Sequence, residues 1–80
     1  MSTAPCEDLV VDALGKACPV PVIDLAKAIS RVAVGGCVVV LADDPGAKVD
    51  IPVWCRMKHH ELVAVDHDGE RFSFRVRRRQ

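Results

Sequence analysis

The chain has 80 residues, of which half are hydrophobic and three are aromatic, and its 11 basic side chains equal its 11 acidic ones. This length fits one domain, residues 1–80, near the lower limit for a single core. The core must therefore be aliphatic. A net charge of zero removes any whole-molecule attraction to nucleic acid or to membranes. We find neither a signal peptide nor an apolar run long enough to cross a bilayer, so we expect a cytoplasmic protein.

The four cysteines stand without the secretory context that favours disulfide bridges, so we expect reduced thiols. They occupy positions 6, 18, 37 and 55. Because no Cys-x-x-Cys pair is present, neither a zinc knuckle nor a dithiol redox motif is predicted. A metal site built from Cys55, His59 and His60 is a minor alternative, since adjacent histidines point in different directions from a strand or a helix.

The first predicted elements are a short strand and an amphipathic helix. The apolar run 9–11 is closed by Asp12, Leu14 and Gly15, which indicates a strand followed by a tight turn. A helical stripe follows and ends at the glycine pair 35–36. Its apolar members are Val22, Leu25, Ala26, Ile29, Val32 and Ala33.

The middle of the chain predicts a central strand and a second helix. Residues 37–42 are continuously apolar and largely β-branched, as in a strand flanked on both sides. Turn residues at 43–46 precede a helical stretch over 47–58. Pro52 interrupts that stretch, so either the helix is kinked or its regular part begins near Asp50, which would then be the N-cap.

The last third predicts a β-hairpin. Its strands are 61–66 and 71–77, with Asp68-Gly69 as the turn signal. The element order predicts an α/β (α+β) two-layer sandwich, βαβαββ, with a four-stranded mixed sheet and both helices on one face. The second face of the apolar strand 37–42 then has no helix to cover it. We expect either a partner or homodimer surface there, or a partly exposed aliphatic strand.

The segment Cys18-Pro19-Val20-Pro21 is the strongest candidate for chemistry. Pro19 suits the first helical position, where its missing N–H costs no helical bond. If Cys18 is the N-cap, the N–H groups of Cys18 and Val20 remain free to point at a sulfur anion.

The predicted reactivity of this thiol is moderate. A helix N-terminus contributes roughly 0.3–1 kcal/mol toward a nearby negative charge, so the pKa of Cys18 should fall by less than about one unit from the ~8.5 of a free thiol. Lys16 would add a favourable charge if its side chain folds back. The alternative is that Cys18 is a small buried hydrophobe.

The motifs along the chain resemble, in order and spacing, those of the TusA family of small sulfur-carrier proteins, also called SirA-like. The resemblance covers nearly the whole chain, and Cys-Pro-x-Pro is its most specific part. One departure is His59, where the family commonly closes the second helix on glycine; histidine tolerates positive φ at a small cost. The matching segments are Asp12-Ala13-Leu14-Gly15, Cys18-Pro19-Val20-Pro21, Asp43-Asp44-Pro45-Gly46, Asp50-Ile51-Pro52-Val53-Trp54-Cys55 and His60-Glu61-Leu62.

The resemblance implies that Cys18 is the catalytic nucleophile and carries sulfane sulfur as a persulfide. Its donor would be a cysteine desulfurase or a rhodanese, and its acceptor a downstream sulfur-relay protein. The pathway would be tRNA thiolation, molybdenum-cofactor sulfur supply or sulfur oxidation. No cofactor or metal is implied.

The resemblance also assigns supporting residues. Those expected to shape the site are Gly15, Lys16, Pro19 and Pro21, with Asp12 and Asp50 in support. Asp50 and the acidic turn at Asp43 and Asp44 are expected to cap and brace the second helix rather than take part in chemistry. Cys55 is expected to fill core, and Cys6 and Cys37 to be structural or incidental.

Two rival functions remain open at this stage. The first is a non-catalytic protein- or RNA-binding module, motivated by the basic tail 77–79, with Cys18 as a redox sensor. The second is a thiol oxidoreductase, which requires a resolving cysteine within disulfide range of Cys18.

Overall fold

The computed structural model describes residues 9–80, and their elements follow the predicted order βαβαββ. The elements are β1 (Leu9–Ala13), α1 (Val20–Ile29), β2 (Cys37–Ala42), α2 (Ala47–Lys58), β3 (Glu61–Asp68) and β4 (Arg71–Arg77). None of the helices formed by residues 9–80 is long and apolar enough to cross a bilayer.

The four strands form one mixed sheet in the order β1-β2-β4-β3. β1 runs parallel to β2, with Val11 opposite Val40, and β4 runs antiparallel to both β2 and β3. β2 is therefore an interior strand, as its continuous apolar sequence predicted. Because β1 and β2 are parallel neighbours, the loops that follow them leave the same edge of the sheet.

Both helices pack on one face of the sheet, which confirms the predicted two-layer architecture. Alternate residues of the interior strands point into this layer, and the fully buried side chains include Leu25, Ile51 and Phe74. On the opposite face Val39 and Leu41 are half-buried. Within residues 9–80 no helix covers that face.

Helix α1 begins and ends differently from the sequence prediction. Pro19, with φ −95° and ψ 16°, is the N-cap, so Cys18 precedes the cap and the prediction that it is the N-cap was wrong. Proline at the cap fits, because no bond is lost there. The helix ends at Ile29 instead of continuing to Ala33, since the Ser30 hydroxyl donates to the Lys27 carbonyl at 2.9 Å and competes with the backbone pattern.

Helix α2 spans the predicted residues, but Asp50 is not its N-cap. The helix begins at Ala47 after Gly46, and the Asp50 N–H donates to the Gly46 carbonyl at 2.9 Å, so Asp50 already lies inside the first turn. Pro52 lies inside the helix. The proline therefore does not delay the start of the helix, and its missing N–H leaves one carbonyl without its helical donor.

His59 ends α2 in the left-handed conformation, with φ 62° and ψ 38°. The His60 N–H donates back to the Cys55 carbonyl at 2.9 Å, which is the 6→1 bond of a Schellman motif. The expectation that histidine replaces glycine at a positive φ is confirmed.

The cysteines are not all reduced. Cys18 and Cys55 are free thiols, whereas Cys37 is disulfide-bonded. The expectation of a reduced thiol was therefore wrong for Cys37, because spacing along a chain does not determine which sulfurs meet in space. The expectation for Cys6 lies outside the described residues.

We predict that His59→Gly raises the free energy of unfolding by about 0.5–1 kcal/mol, because glycine adopts this left-handed conformation without steric cost. The matched control is Lys58→Gly, one residue earlier in right-handed helix, which should lower it by about 1 kcal/mol. Urea denaturation measures both. Equal destabilisation by the two substitutions would contradict the prediction.

Candidate active site around Cys18

Cys18 lies in the loop between β1 and α1, at the edge of the sheet where the parallel strands end. Its side chain is partly exposed and packs against the margin of the hydrophobic core. The sulfur is thus neither sealed in the interior nor free of the protein surface. A partner can reach it while the surrounding atoms restrict its position.

The first part of this loop is a tight turn made by local hydrogen bonds. Asp12 Oδ1 accepts the Leu14 N–H at 3.0 Å, and the Lys16 N–H donates to the Ala13 carbonyl at 3.2 Å. Gly15 has φ +79°, which glycine adopts without the steric penalty of a side chain. Asp12 and Gly15 therefore contribute to the tight turn that reverses the chain after β1.

The acidic turn after β2 holds the Cys18 loop from the other side. Both carboxylate oxygens of Asp43 accept the Gly15 N–H, at 3.0 and 3.1 Å. Asp44 Oδ2 accepts the Cys18 N–H at 3.3 Å and the Gly46 N–H at 3.0 Å. These carboxylates do not cap α2, which has no side-chain cap bond. Asp44 braces its start through the N–H of the N-cap residue Gly46, and both carboxylates also join the two loops, which the sequence did not predict.

Gly46 brings the backbone of the acidic turn close to the sulfur. A Cβ built on Gly46 would lie 3.5 Å from Cys18 Sγ and 2.8 Å from Asp44 Oδ2. The absence of a side chain at this position leaves room for the Asp44 carboxylate. The turn, the carboxylate and the sulfur are therefore packed as one unit.

The two backbone N–H groups that the sequence predicted to be free for a sulfur anion, those of Cys18 and Val20, already donate to other acceptors. The Cys18 N–H donates to Asp44, and the Val20 N–H donates to the Ala17 carbonyl at 3.0 Å. The predicted pair of free donors was therefore wrong. It failed because the cap is Pro19 and because the acidic turn lies far away in sequence.

The two prolines occupy different positions around Cys18. Pro19 is exposed at the cap, whereas Pro21 is fully buried in the first turn of α1. Pro21 thus fixes the start of the helix to the core, and Pro19 forms part of the surface next to the sulfur.

Lys16 does not supply its charge to the thiol. Its Nζ lies 3.3 Å from Asp24 Oδ2 on α1, and both side chains are partly exposed. The expectation that Lys16 folds back to favour a thiolate was therefore wrong, because Asp24 offers a carboxylate within reach.

Burial, then the hydrogen bond and negative charge of Asp50, then those of Asp44, raise the pKa of the Cys18 thiol to about 11. This direction is opposite to the one expected from a helix terminus. The carboxylates accept the thiol proton as a hydrogen bond and repel the thiolate. In the isolated protein Cys18 is therefore a protonated thiol at neutral pH.

A shallow pocket of about 250 Å³ lies between the two helices beside Pro19, the residue that follows Cys18, with Asp50 in its wall. Two of its apolar lining side chains, Val53 and Met57, are 42% and 65% exposed. Asp50 is thus a site residue beside the thiol, not the cap of α2. The pocket is lined by Pro19, Val22, Asp50, Val53, Trp54 and Met57.

Cys55 and the two histidines lie apart from this chemistry. Cys55 is 2% exposed, and burial raises the pKa of its thiol to about 11. His60 Nδ1 accepts the Arg79 N–H at 3.1 Å, and its ring lies against Trp54. In the part of the chain that the structure describes, no three His, Cys, Asp or Glu side chains form a group able to hold a metal ion, so the alternative of a Cys55, His59 and His60 site is not formed.

Comparison with solved structures shows the same fold in a bacterial protein. The SirA-like protein of Desulfitobacterium hafniense aligns with a TM-score of 0.78 and 25% sequence identity, over 90% of this chain and 99% of that chain.

The model of the family described as sulfurtransferase TusA matches residues 9–78, which include both loops, the two helices and the whole sheet. Together with the conserved architecture of the solved neighbour, this match shows that the chain belongs to the TusA sulfurtransferase family and acts in sulfur relay.

Proposed function

We propose that Cys18 accepts sulfane sulfur as a persulfide from a cysteine desulfurase or a rhodanese in the cytoplasm. It then passes that sulfur to a cysteine of a downstream relay protein. The observation that carries this proposal is a partly exposed free thiol at the edge of a sulfurtransferase-family domain, in a loop whose backbone is bonded to the carboxylates of Asp43 and Asp44.

The exchange needs one bond to form and one to break. The Cys18 sulfur attacks the terminal sulfur of the donor persulfide, a new S–S bond forms, and the donor cysteine leaves with the electron pair of the broken S–S bond. The proton lost by Cys18 compensates the charge on the departing thiolate. Discharge repeats the same steps with an acceptor thiolate as the attacking group.

The hydrogen bonds around the loop contribute by limiting the positions of the sulfur. Asp43 and Asp44 fix the backbone at Gly15 and at Cys18, on both sides of the residues that lead into the site. A sulfur held in this way loses less freedom when it aligns with a partner's S–S bond. Asp43 and Asp44 are accordingly positioning residues in this proposal.

The acceptor pathway in this proposal is one of the three that the family serves: tRNA thiolation, molybdenum-cofactor sulfur supply or sulfur oxidation. All three use the same carrier chemistry at Cys18. The acceptor would thus be distinguished by the surface around the thiol and not by a further catalytic group.

The contacts of the basic tail argue against an RNA-binding module. Arg77 and Arg79 lie 3.4 and 2.7 Å from Glu61 Oε1. Arg78 donates to the Val32 carbonyl at 2.6 Å. These arginines hold the end of the chain against the domain.

The oxidoreductase alternative lacks support from Cys55, which is buried as a free thiol in the core.

Incubation with a cysteine desulfurase and cysteine should add one sulfur atom to the protein, measured by intact mass. Cys18→Ser should abolish the addition, and the matched control Cys55→Ser should retain it. Equal loading of wild type and Cys18→Ser would contradict the proposal, as would the absence of loading in wild type.

Iodoacetamide should alkylate Cys18 and leave Cys55 unmodified in the folded protein, because Cys18 is partly exposed and Cys55 is buried. The rate at Cys18 should be lower than that of a cysteine peptide at pH 8 and should keep rising toward pH 11, since the thiolate is the reactive form and the pKa of this thiol is about 11. Peptide mapping measures both sites. A rate that levels off near pH 8 would contradict the raised pKa, and urea should expose Cys55 as a control.

Self-association through the open face of the sheet remains a prediction. Val39 and Leu41 are half-buried on that face, and the second protomer of a homodimer would cover them. Sedimentation equilibrium at high protein concentration should then show a weak homodimer that Leu41→Lys disrupts. A monomer mass throughout would refute it.

A further inference from the structure

The charges that surround the Cys18 sulfur are of one sign. Asp44 Oδ2 bonds to the Cys18 N–H, and the backbone at Gly46 approaches both that oxygen and the sulfur. Asp50 lies in the wall of the adjoining pocket beside Pro19. The cation closest in sequence, Lys16, is paired with Asp24. The sulfur therefore lies in a locally negative environment on a chain whose net charge is zero.

This environment makes the anionic form of the sulfur unfavourable. Partial burial, followed by the carboxylates of Asp50 and Asp44, holds the pKa of the thiol well above its ordinary value. Exchange requires the thiolate. A positive group brought to the same place would offset the carboxylates and stabilise the thiolate as it attacks.

We propose that Asp44 and Asp50 make sulfur exchange at Cys18 selective for partners that carry a positively charged side chain beside the reacting sulfur. The physiological meaning of this selectivity depends on the proposed carrier function. The selectivity itself is a property of the thiol and holds for any S–S compound.

The surroundings of the site amplify the effect of a cation. Val53 and Met57 are exposed apolar side chains that line the same pocket as Asp50. A partner that covers them excludes water, and charge interactions strengthen when water leaves. The same contact with a negatively charged partner would add repulsion at the sulfur.

The test uses three disulfides that differ in charge: cystamine, which carries two ammonium groups, the neutral bis(2-hydroxyethyl) disulfide, and the anionic 3,3′-dithiodipropionate. In each reaction the Cys18 thiolate attacks one sulfur, a mixed disulfide forms, and the other half leaves as a thiol after protonation. Mass spectrometry follows the mixed disulfide at Cys18. Each rate is divided by that of a cysteine peptide with the same reagent, which removes the intrinsic reactivity of the disulfide.

The normalised rate should be highest for cystamine and lowest for dithiodipropionate, with a ratio of about three- to tenfold, the size expected for unit charges a few ångströms apart when water still screens them. Salt at about 1 M should reduce the ratio, because it screens partly exposed charges. Asp50→Asn and Asp44→Asn should each lower the ratio toward one. The matched control Asp66→Asn lies on the exposed edge strand β3 and is not among the carboxylates that act on the Cys18 thiol, so it should leave the ratio unchanged.

The order of the three reagents separates charge selectivity from a merely structural role. A substitution that only loosened the loop would change all three normalised rates together. Equal normalised rates in wild type would overturn the proposal, and so would an unchanged order in the Asp44→Asn, Asp50→Asn double variant. Failure of the desulfurase to load Cys18 would refute the carrier function. It would not affect the measured disulfide-exchange rates, so the charge selectivity would stand or fall independently.

Discussion

The site depends on hydrogen bonds between two loops that follow parallel strands. Carboxylates at the end of β2 accept the N–H groups of Gly15 and Cys18 in the loop after β1. Hydrogen bonds to charged groups contribute about 1.5–3 kcal/mol each, and less where solvent reaches them. The loop has no strand or helix of its own around Cys18, so these bonds supply the order that secondary structure would otherwise give. They also place negative charge next to the sulfur, and the geometry and the electrostatics of the site therefore have one origin.

Most of the fold could be predicted from hydrophobic periodicity and turn residues. The apolar run of β2 marked an interior strand, and alternation in β4 separated the core residues Phe72, Phe74 and Val76 from a basic face. The residues at which the helices begin and end were harder to predict. The apolar stripe of α1 continues beyond Ile29, but the Ser30 side chain bonds to the backbone and the helix stops. The competition between a side-chain hydrogen bond and the backbone hydrogen bonds of a helix is decided by small differences in free energy, which hydrophobic periodicity does not reveal.

The acidic turn was recognised in the sequence, but only its contact with the start of α2 was expected. Asp43 is 28 residues from Gly15, and Asp44 is 26 from Cys18, so a sequence analysis restricted to neighbours assigned both to the adjacent helix. The adjacency of two parallel strands was the missing step, because the loops at their carboxyl ends meet at one edge of a sheet. The direction of the Cys18 pKa failed for the same reason. A helix terminus and Lys16 are visible along the chain, whereas Asp50 acts through space.

A thiol with a raised pKa suits a carrier that should react only when a partner is bound. A rise of the thiol pKa from 9.0 to about 11 lowers the thiolate fraction at neutral pH by roughly 100-fold. The more basic thiolate is also more nucleophilic, and a Brønsted slope of about 0.4–0.5 restores roughly six- to tenfold of that loss. The net penalty on the exchange rate is then on the order of tenfold, or about 1.5 kcal/mol. A favourable charge supplied at a desolvated contact is of this size. Because oxidation also follows thiolate character, the same raised pKa is expected to slow oxidation of the Cys18 thiol in the free protein.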